Sequence, residues 1–248
     1  MPYARRALEM LQQQTFTDFT TFAVDSGSTD GTFQTLEEYC DNVVEIRPEE
    51  YIPGQVLNHA IDRTIQDIIV LLNADAIPQT KDWLNNLVLP IIGNHADATF
   101  SKQVARPDAK FIVAYDYERA YNPAKATPDF FSAVACAFKR ELWEKHTFPE
   151  NGYAEDTAWA LECISSGARF QLLAHSIVEH SHNYSLQALY QKRYRQAVTS
   201  NEVPNSGKQI WHGLREIGRD FLHALARFKL HTVPYNIAYR TTIHRAIH

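Results

Sequence analysis

The peptide Ile68-Ile69-Val70-Leu71-Leu72, followed directly by Asn73-Ala74-Asp75-Ala76, decides the fold class of this chain. Its first five residues are all apolar, and a strand without a polar face is buried on both sides, as in a parallel sheet covered by helices. Around it the hydrophobic pattern alternates between helical periodicity and short apolar strands. We therefore predict an α/β fold with a mostly parallel sheet flanked by helices.

The pattern along the chain predicts a series of short elements. We predict helices at 3–14, 32–40, 54–65, 153–166, 185–199 and 208–229, and strands at 19–24, 43–46, 68–72, 97–102, 133–138 and 170–178. No internal repeat or linker separates these elements. The sequence therefore predicts one domain over residues 1–206, with an amphipathic, basic helical tail over 207–248.

Length and composition exclude several classes of protein. The chain has 248 residues, of which 45% are apolar and three are cysteine, with 24 Lys+Arg against 29 Asp+Glu. There is no apolar run near the ~18 residues of a membrane-spanning helix. The three cysteines favour neither a disulfide framework nor a zinc ribbon, and the first residues lack the apolar core of a signal peptide. We expect a folded protein in the reducing cytoplasm.

Two loops that carry acids follow predicted strands. The loop Asp25-Ser26-Gly27-Ser28-Thr29-Asp30-Gly31 follows the strand at 19–24, and Asn73-Ala74-Asp75 follows the strand at 68–72. In open parallel sheets, ligands bind beyond the carboxyl ends of the strands. Either loop alone would be a simple chain reversal, but two acidic loops at one edge of the sheet indicate a binding site.

These residues match an ordered set of motifs. The set consists of Val24-Asp25-Ser26-Gly27-Ser28-Thr29-Asp30-Gly31-Thr32, Leu71-Leu72-Asn73-Ala74-Asp75-Ala76-Ile77-Pro78 with Trp83-Leu84, Ala154-Glu155-Asp156, and His180-Ser181-His182. In this order and spacing the chain closely resembles family 2 glycosyltransferases of the GT-A fold, a Rossmann-like sheet flanked by helices. Within that family it looks most like bacterial rhamnosyltransferases, from the first residue to about position 200.

The resemblance implies a site for a nucleotide-diphosphate sugar and a divalent cation. Asp25 would contact the base or ribose, with Ser26 and Ser28 in the same loop. Asp75 would bind Mg²⁺ or Mn²⁺, hard cations that prefer carboxylate oxygen and retain phosphate and water ligands. Asn73 stands where the family's Asp-x-Asp motif has its first Asp, and it would contact the nucleotide without adding charge.

Further nucleotide contacts are implied at two other places. Gly54 and Asn58 stand where relatives have a Gly-x-x-x-Asn pattern near the nucleotide. Each also has a structural interpretation, as a helix-start glycine and a surface amide. Arg193 lies on a later helix, from which it could reach the pyrophosphate, although a solvated helix face explains it equally well.

The catalytic acids and the remaining metal ligands are also implied by the resemblance. Asp156 would be the general base that deprotonates the acceptor hydroxyl, assisted by Glu155; without the resemblance, two acids in the first turn of a helix are explained by the helix dipole. His180 and His182 are two positions apart after a predicted strand and would face the same side. One of them would complete the metal site, and we favour His180.

The expected reaction is transfer of a single sugar, with inversion, in cell-surface polysaccharide synthesis. We expect a dTDP- or UDP-sugar as donor and a glycan or lipid-linked acceptor, with no nucleic-acid partner. The chain lacks the Gln-x-x-Arg-Trp signature of processive relatives. Two alternatives remain open: a metal-dependent nucleotidyltransferase or hydrolase at Asp75 and His180, and a non-catalytic binding subunit of the same fold.

The start of the chain departs from the family pattern. Relatives begin with a strand and a turn that holds the nucleotide, whereas this chain begins in the following helix, which ends at Gln14-Thr15-Phe16. We therefore expect the first strand to be missing. A start site that lies upstream is our first explanation, ahead of another segment or chain in that place, or an impaired product.

The tail combines an apolar stripe with positive charge. Residues 207–248 hold seven Lys/Arg and two acids. Six apolar residues recur there at helical spacing: Ile210, Leu214, Ile217, Phe221, Leu225 and Phe228, with Trp211 and Leu222 beside them. We first expect this stripe to pack on the catalytic domain, and second to contact an anionic membrane as a peripheral helix.

Overall fold

The computed structural model describes residues 2–127, 129–150, 154–200 and 206–247. The helices are α1 (Pro2–Gln12), α2 (Thr32–Tyr39), α3 (Pro53–Asp62), α4 (Trp83–Ile92), α5 (Phe111–Ala120), α6 (Arg140–Lys145), α7 (Glu155–Ser165), α8 (Leu186–Ser200), α9 (Ser206–Ala226) and α10 (Val233–Ile247). The strands are β1 (Phe22–Asp25), β2 (Asn42–Glu45), β3 (Ile68–Leu72), β4 (Ile77–Pro78), β5 (Ala98–Val104), β6 (Ala135–Lys139) and β7 (Phe170–Glu179). Helices and strands alternate over most of the chain, so the predicted α/β class is confirmed.

The strand directions are mixed rather than mostly parallel. β1 and β2 form a parallel pair, and a five-stranded sheet has the order β3-β6-β5-β7-β4. In that larger sheet only β5 and β7 are parallel, whereas β6 runs antiparallel to both its neighbours and β4 antiparallel to β7. The prediction of a mostly parallel sheet is therefore wrong in this respect. The connection between β5 and β6 returns at the end where β5 stops, without the crossover that a parallel neighbour requires.

The strands β1 and β3 each pair with one described strand. Within the described residues, β1 pairs only with β2 and β3 pairs only with β6. The residues before these two strands are hydrogen-bonded, since Gln66 Nε2 donates to Thr20 Oγ1 at 3.0 Å. The missing first strand stays a prediction.

The chain divides into two compact units. The first unit comprises Met1–Arg106 and Tyr117–His180, and the second comprises Pro107–Asp116 and Ser181–His248. This division differs from the predicted boundary at 206, because α8 and a segment of α5 group with the tail.

Aromatic packing forms the interior of the first unit. Trp159, on α7, has an exposed fraction of 0%. Its ring contacts those of Phe138, Phe148 and Phe170 at centroid distances of 4.9, 4.7 and 5.6 Å. This cluster joins α7 to the sheet, and it therefore determines where the first turn of α7 lies.

The second unit buries charged side chains between α9 and α10. On α9 the acids lie inward, with Asp220 buried and bonded to Arg240 of α10 (Oδ2 to Nε, 2.6 Å). The apolar residues face outward: Trp211 is 71% exposed, Leu222 64% and Phe228 93%. The expectation that this stripe packs on the catalytic domain is therefore wrong for these three side chains. The side chain of Ile210 lies outside the part of the chain that the structure describes. Among the described helices, none has the length and apolar character needed to cross a bilayer.

Candidate active site

Asp25 organises the loop after β1. Its carboxylate is buried, and Oδ2 accepts hydrogen bonds from the backbone N–H groups of Gly27 (3.0 Å) and Ser28 (2.8 Å). Gly27 has a φ of 80°, and a Cβ there would lie 2.9 Å from the ring of Pro48. The loop therefore requires glycine at this point and an acid at its start. It leaves Ser26 half-buried and Ser28 exposed at the edge of β1.

Asp75 is half-buried after β3 and is bound by an arginine that the sequence analysis did not identify. Arg106 Nη2 donates to the Asp75 backbone oxygen at 2.8 Å and to its Oδ2 at 2.9 Å. The Arg106 guanidinium also lies over the ring of Tyr3, 3.8 Å from its centroid. Arg106 lies two residues after the end of β5, so examining every strand end, instead of acids alone, would have found it.

His180 presents its second ring nitrogen to Asp75. His180 is buried, and its Nδ1 lies 2.9 Å from Gln103 Oε1. Gln103 Nε2 donates to Ser132 Oγ at 2.9 Å, which orients the amide so that its oxygen faces the histidine. The hydrogen-bond network therefore assigns the proton to Nδ1, and Nε2 carries the lone pair 3.5 Å from Asp75 Oδ1.

This donor set fits a divalent cation. A carboxylate oxygen and an imidazole nitrogen suit Mn²⁺, and Mg²⁺ would bind chiefly through the carboxylate. A hydrogen bond to the distal nitrogen of a ligating histidine, as Gln103 provides, typically fixes the ring in metal sites. Asp75 and His180 of the first unit are therefore the residues that could hold the metal.

Two predicted site residues, His182 and Arg193, belong to the second unit. The ring of His182 stacks on that of Tyr184 with centroids 5.1 Å apart. Arg193 is half-buried on α8, where its Nη1 donates to Gln196 Oε1 at 3.3 Å. The roles of His182 as a ligand and of Arg193 at the pyrophosphate remain predictions.

Glu155 and Asp156 open α7 after a strained residue. Ala154 has a φ of 77°, a left-handed conformation that costs an L-residue ~1–2 kcal/mol. Asp156 Oδ1 accepts from Thr157 N at 2.8 Å, and its Oδ2 accepts from Ala133 N at 3.3 Å. Burial, and then the neighbouring Asp156, raise the pKa of the Glu155 carboxyl.

A short backbone segment links Asp156 to the loop of Asn73 and Asp75. Ala133 N donates to Asp156, and the next residue, Val134, accepts a hydrogen bond from Asn73 N at 2.8 Å. Asn73 itself is exposed. The structure therefore brings Asp156 near the loop of Asn73 and Asp75.

Gly54 and Asn58 hold the segment that leads to α7. Asn58 Nδ2 donates to Phe148 O at 2.9 Å, and its Oδ1 accepts from Phe148 N at 3.0 Å. A Cβ on Gly54 would lie 1.9 Å from Pro149 O. Both residues thus contact the 148–150 segment, and a direct nucleotide contact for either remains a prediction.

An open cleft of about 490 Å³ lies next to the ends of β1 and β2. Its lining comprises Val24, Ile46, Glu50, Gln55, Val56, Asn58, His59, Asp62, Trp143 and Glu150. Val24 immediately precedes Asp25. The cleft is therefore a concave space of ligand size directly beside the Asp25 loop.

The sequence profile of the family described as Glycosyl transferase family 2 matches residues 2–147. This chain belongs to glycosyl transferase family 2. The matched range includes the loops of Asp25 and Asp75, so the resemblance inferred from the motifs is confirmed.

Two curated relatives are O-antigen chain rhamnosyltransferases. RfbN of Salmonella typhimurium strain LT2 is 27% identical over 207 residues, covering 77% of this chain and 66% of the relative. WbaN of Salmonella anatum is 27% identical over 202 residues, covering 75% and 64%. The chain thus spans just under two thirds of the length of the relatives it matches.

Solved structures with the same fold are more distant in sequence. The mannosyltransferase PcManGT of Pyrobaculum calidifontis, in complex with GDP-Man and Mn²⁺, aligns with a TM-score of 0.63 at 23% identity, covering 97% of this chain and 71% of that one. TarS 1-349 of S. aureus, in complex with UDP, aligns with a TM-score of 0.59 at 17% identity, covering 98% and 86%. These likenesses confirm the GT-A fold.

Proposed function

We propose that this chain is an inverting glycosyltransferase that moves a single sugar from a nucleotide-diphosphate sugar to a hydroxyl of a growing cell-surface polysaccharide. The observation that carries the proposal is the pair of Asp75 Oδ1 and His180 Nε2, which lie 3.5 Å apart, with Asp156 bonded to the segment that also bonds Asn73. A metal-binding pair beside a candidate base is what displacement at a sugar phosphate requires.

Asp75 and His180 hold Mn²⁺ or Mg²⁺. The ion, when bound, offsets the charge that grows on the departing diphosphate. The Mn²⁺ in the PcManGT complex supports this assignment. Arg106 neutralises Asp75 in the ion's absence, and its guanidinium is near enough to contact a phosphate at the same site.

Asp25 and Asp156 act at the two ends of the donor. Asp25 keeps its loop closed beside the cleft, which takes the nucleoside. Asp156 accepts the proton from the acceptor hydroxyl while that oxygen attacks the anomeric carbon, and the bond from this carbon to the diphosphate oxygen breaks. Because attack and departure occur on opposite faces of the sugar, the configuration inverts. Glu155 assists by orienting the acceptor.

The curated relatives and the solved structures of the same fold support a choice of donor sugar nucleotide. Rhamnosyl transfer from a dTDP-sugar is the first choice, because both curated relatives are O-antigen chain rhamnosyltransferases. A UDP-sugar is the second, since TarS is solved with UDP. The acceptor is a glycan, either free or lipid-linked, and the reaction takes place in the cytoplasm at the inner face of the membrane.

We also infer that α9 contacts anionic lipid. Its outward face presents Trp211, Leu214, Phe221, Leu222 and Leu225, all exposed. Arg215, Arg227 and Lys229 are exposed as well, while both acids of the helix lie inward. An outward surface that combines apolar side chains with cations is complementary to a negatively charged bilayer surface.

Calorimetry with dTDP, UDP and GDP, each with and without Mn²⁺, tests the transferase proposal. One diphosphate is expected to bind, and Mn²⁺ is expected to strengthen binding at least tenfold in the natural chain but not in Asp75→Asn. Asp156→Asn should still bind the diphosphate and lose transfer. Absence of heat with all three diphosphates would contradict the proposal and favour a non-catalytic binding subunit.

Sedimentation with vesicles tests the lipid contact. Binding to phosphatidylglycerol vesicles is expected to fall at least tenfold in the double variant Trp211→Ser/Leu222→Ser, since a fully buried large apolar side chain contributes ~1.5–3 kcal/mol. Ile65→Ser is the matched control, because Ile65 is 89% exposed in the first unit. Equal sedimentation of the double variant and the control would contradict the contact.

A further inference from the structure

Three potential metal ligands converge between α9 and α10 of the second unit. His212 and Glu216 are four residues apart on α9, so their side chains share one face of the helix. His244 comes from α10. One ligand atom from each of the three lies within 4.8 Å of the others.

The individual distances describe a compact group. His244 Nε2 lies 3.8 Å from Glu216 Oε2. The rings of His212 and His244 have centroids 6.2 Å apart, at an interplanar angle of 71°. Small rotations of these side chains would place three donor atoms around a single ion, whose ligands normally lie about 2.0–2.2 Å from the metal.

Gly213 allows the imidazole of His244 to approach α9 this closely. A Cβ at position 213 would lie 2.8 Å from His244 Nε2 and 3.2 Å from its Cε1. Any larger residue would push the ring away from Glu216. Glycine inside a helix costs ~1 kcal/mol relative to alanine, and the close contact with His244 is a reason for its presence here.

An ionic network lies beside the group. Arg219 Nη2 lies 3.2 Å from Glu216 and 3.2 Å from Asp220, and Arg240 contacts both Asp220 and Asp116. Three carboxylates and two guanidinium groups thus lie close together here. Glu216 has its second oxygen, Oε2, on the side of His244, where a divalent cation would bind it.

We propose that His212, Glu216 and His244 form a Zn²⁺ site that ties α9 to α10. Two imidazoles and one carboxylate are typical zinc ligands, and water would occupy the fourth position. The site differs chemically from Asp75 and His180, since it has two nitrogen donors, and it does not depend on the transferase proposal.

Cobalt titration of the full chain tests the site. The chain is first stripped with chelator and carries Asp75→Asn and His180→Gln, which together remove the carboxylate and the favoured imidazole of the other predicted metal site. Co²⁺ is expected to give the visible absorption of a four-coordinate ion, at one ion per chain, and Zn²⁺ is expected to displace it. Zn²⁺ should also raise the unfolding temperature of the second unit.

Two ligand variants and a control make the test decisive. His212→Gln and His244→Gln are each expected to weaken Co²⁺ binding at least tenfold, and His231→Gln, at an exposed histidine on the turn before α10, should leave it unchanged. Because His212 is exposed, its variant should fold normally even if His244→Gln does not, which circular dichroism would check. Co²⁺ binding that is equal in the control and in His212→Gln would overturn the proposal.

Discussion

The interiors of the two units of this chain differ in how much charge they bury. In the first unit, aromatic rings pack around Trp159, which is fully buried. In the second, α9 and α10 are joined by charge: Arg240 contacts Asp220 and Asp116, while the apolar side chains of α9 face outward. An apolar stripe is therefore a core only where another element covers it, and on α9 it is a surface available for contact.

Replacing one tryptophan in each unit gives the largest expected contrast. Trp159→Ala is expected to lower the free energy of unfolding by ~3–5 kcal/mol, since it removes a buried ring and leaves a cavity. The same substitution at Trp211, which is 71% exposed, should change it by less than ~0.5 kcal/mol. Urea unfolding followed by circular dichroism measures both. Similar losses at the two positions would mean that Trp211 is covered in solution.

Removing the central cation tests the charged interior. Arg240→Met is expected to cost ~3–5 kcal/mol, because it leaves the buried Asp220 without its main partner. Arg215→Met, at an exposed arginine of α9, is the control and should be nearly neutral in urea unfolding. A loss at Arg240→Met no larger than that of the control would contradict the charged interior.

How much could be predicted from the sequence also differs between the units. Asp25, Asp75 and Asp156 could be predicted as site residues because each stands at a recognisable motif, and the structure brings Asp75 and His180 within 3.5 Å of each other. Arg106 was missed because only acids were sought after the strands. The predicted strand directions were wrong because a short apolar strand can run parallel or antiparallel to its neighbour. The connection between two strands sets that direction, and no motif in its sequence indicates which direction it is.

The orientation of α9 could not be predicted in the same way. Helical periodicity shows that one face is apolar, but not whether that face is covered. The deciding residue, Arg240, lies 20 positions beyond Asp220 and acts through a contact with no local pattern. A single sequence contains the residues of such a network but does not show which of them are paired.

Two glycines, one in each unit, are expected to respond to alanine with smaller and opposite changes in stability. Gly54→Ala is expected to destabilise the first unit by ~1–3 kcal/mol, because the new Cβ would meet Pro149 O at 1.9 Å. Sugar transfer should fall as well, since the displaced segment leads to α7. Gly218→Ala, on α9, meets no atom within 4 Å and should stabilise the second unit by ~0.5–1 kcal/mol. Thermal unfolding and an initial-rate assay distinguish the two, and a neutral Gly54→Ala would show that the 148–150 segment adjusts freely.

The smallest expected effect concerns Glu155, an acid of the candidate site whose pKa is raised by burial. Glu155 binds its proton more tightly in the folded than in the unfolded chain, so folding loses stability as the pH rises from the ordinary glutamate pKa of ~4.3 through the raised value. Glu155→Gln does not titrate and should therefore unfold at a slightly higher temperature than the natural chain at pH 7. The difference should vanish below about pH 4, where both side chains are neutral. Calorimetric scans at several pH values measure this difference, and a variant that is less stable at pH 7 would show that Glu155 has a cationic partner in solution, as Asp220 has in Arg240.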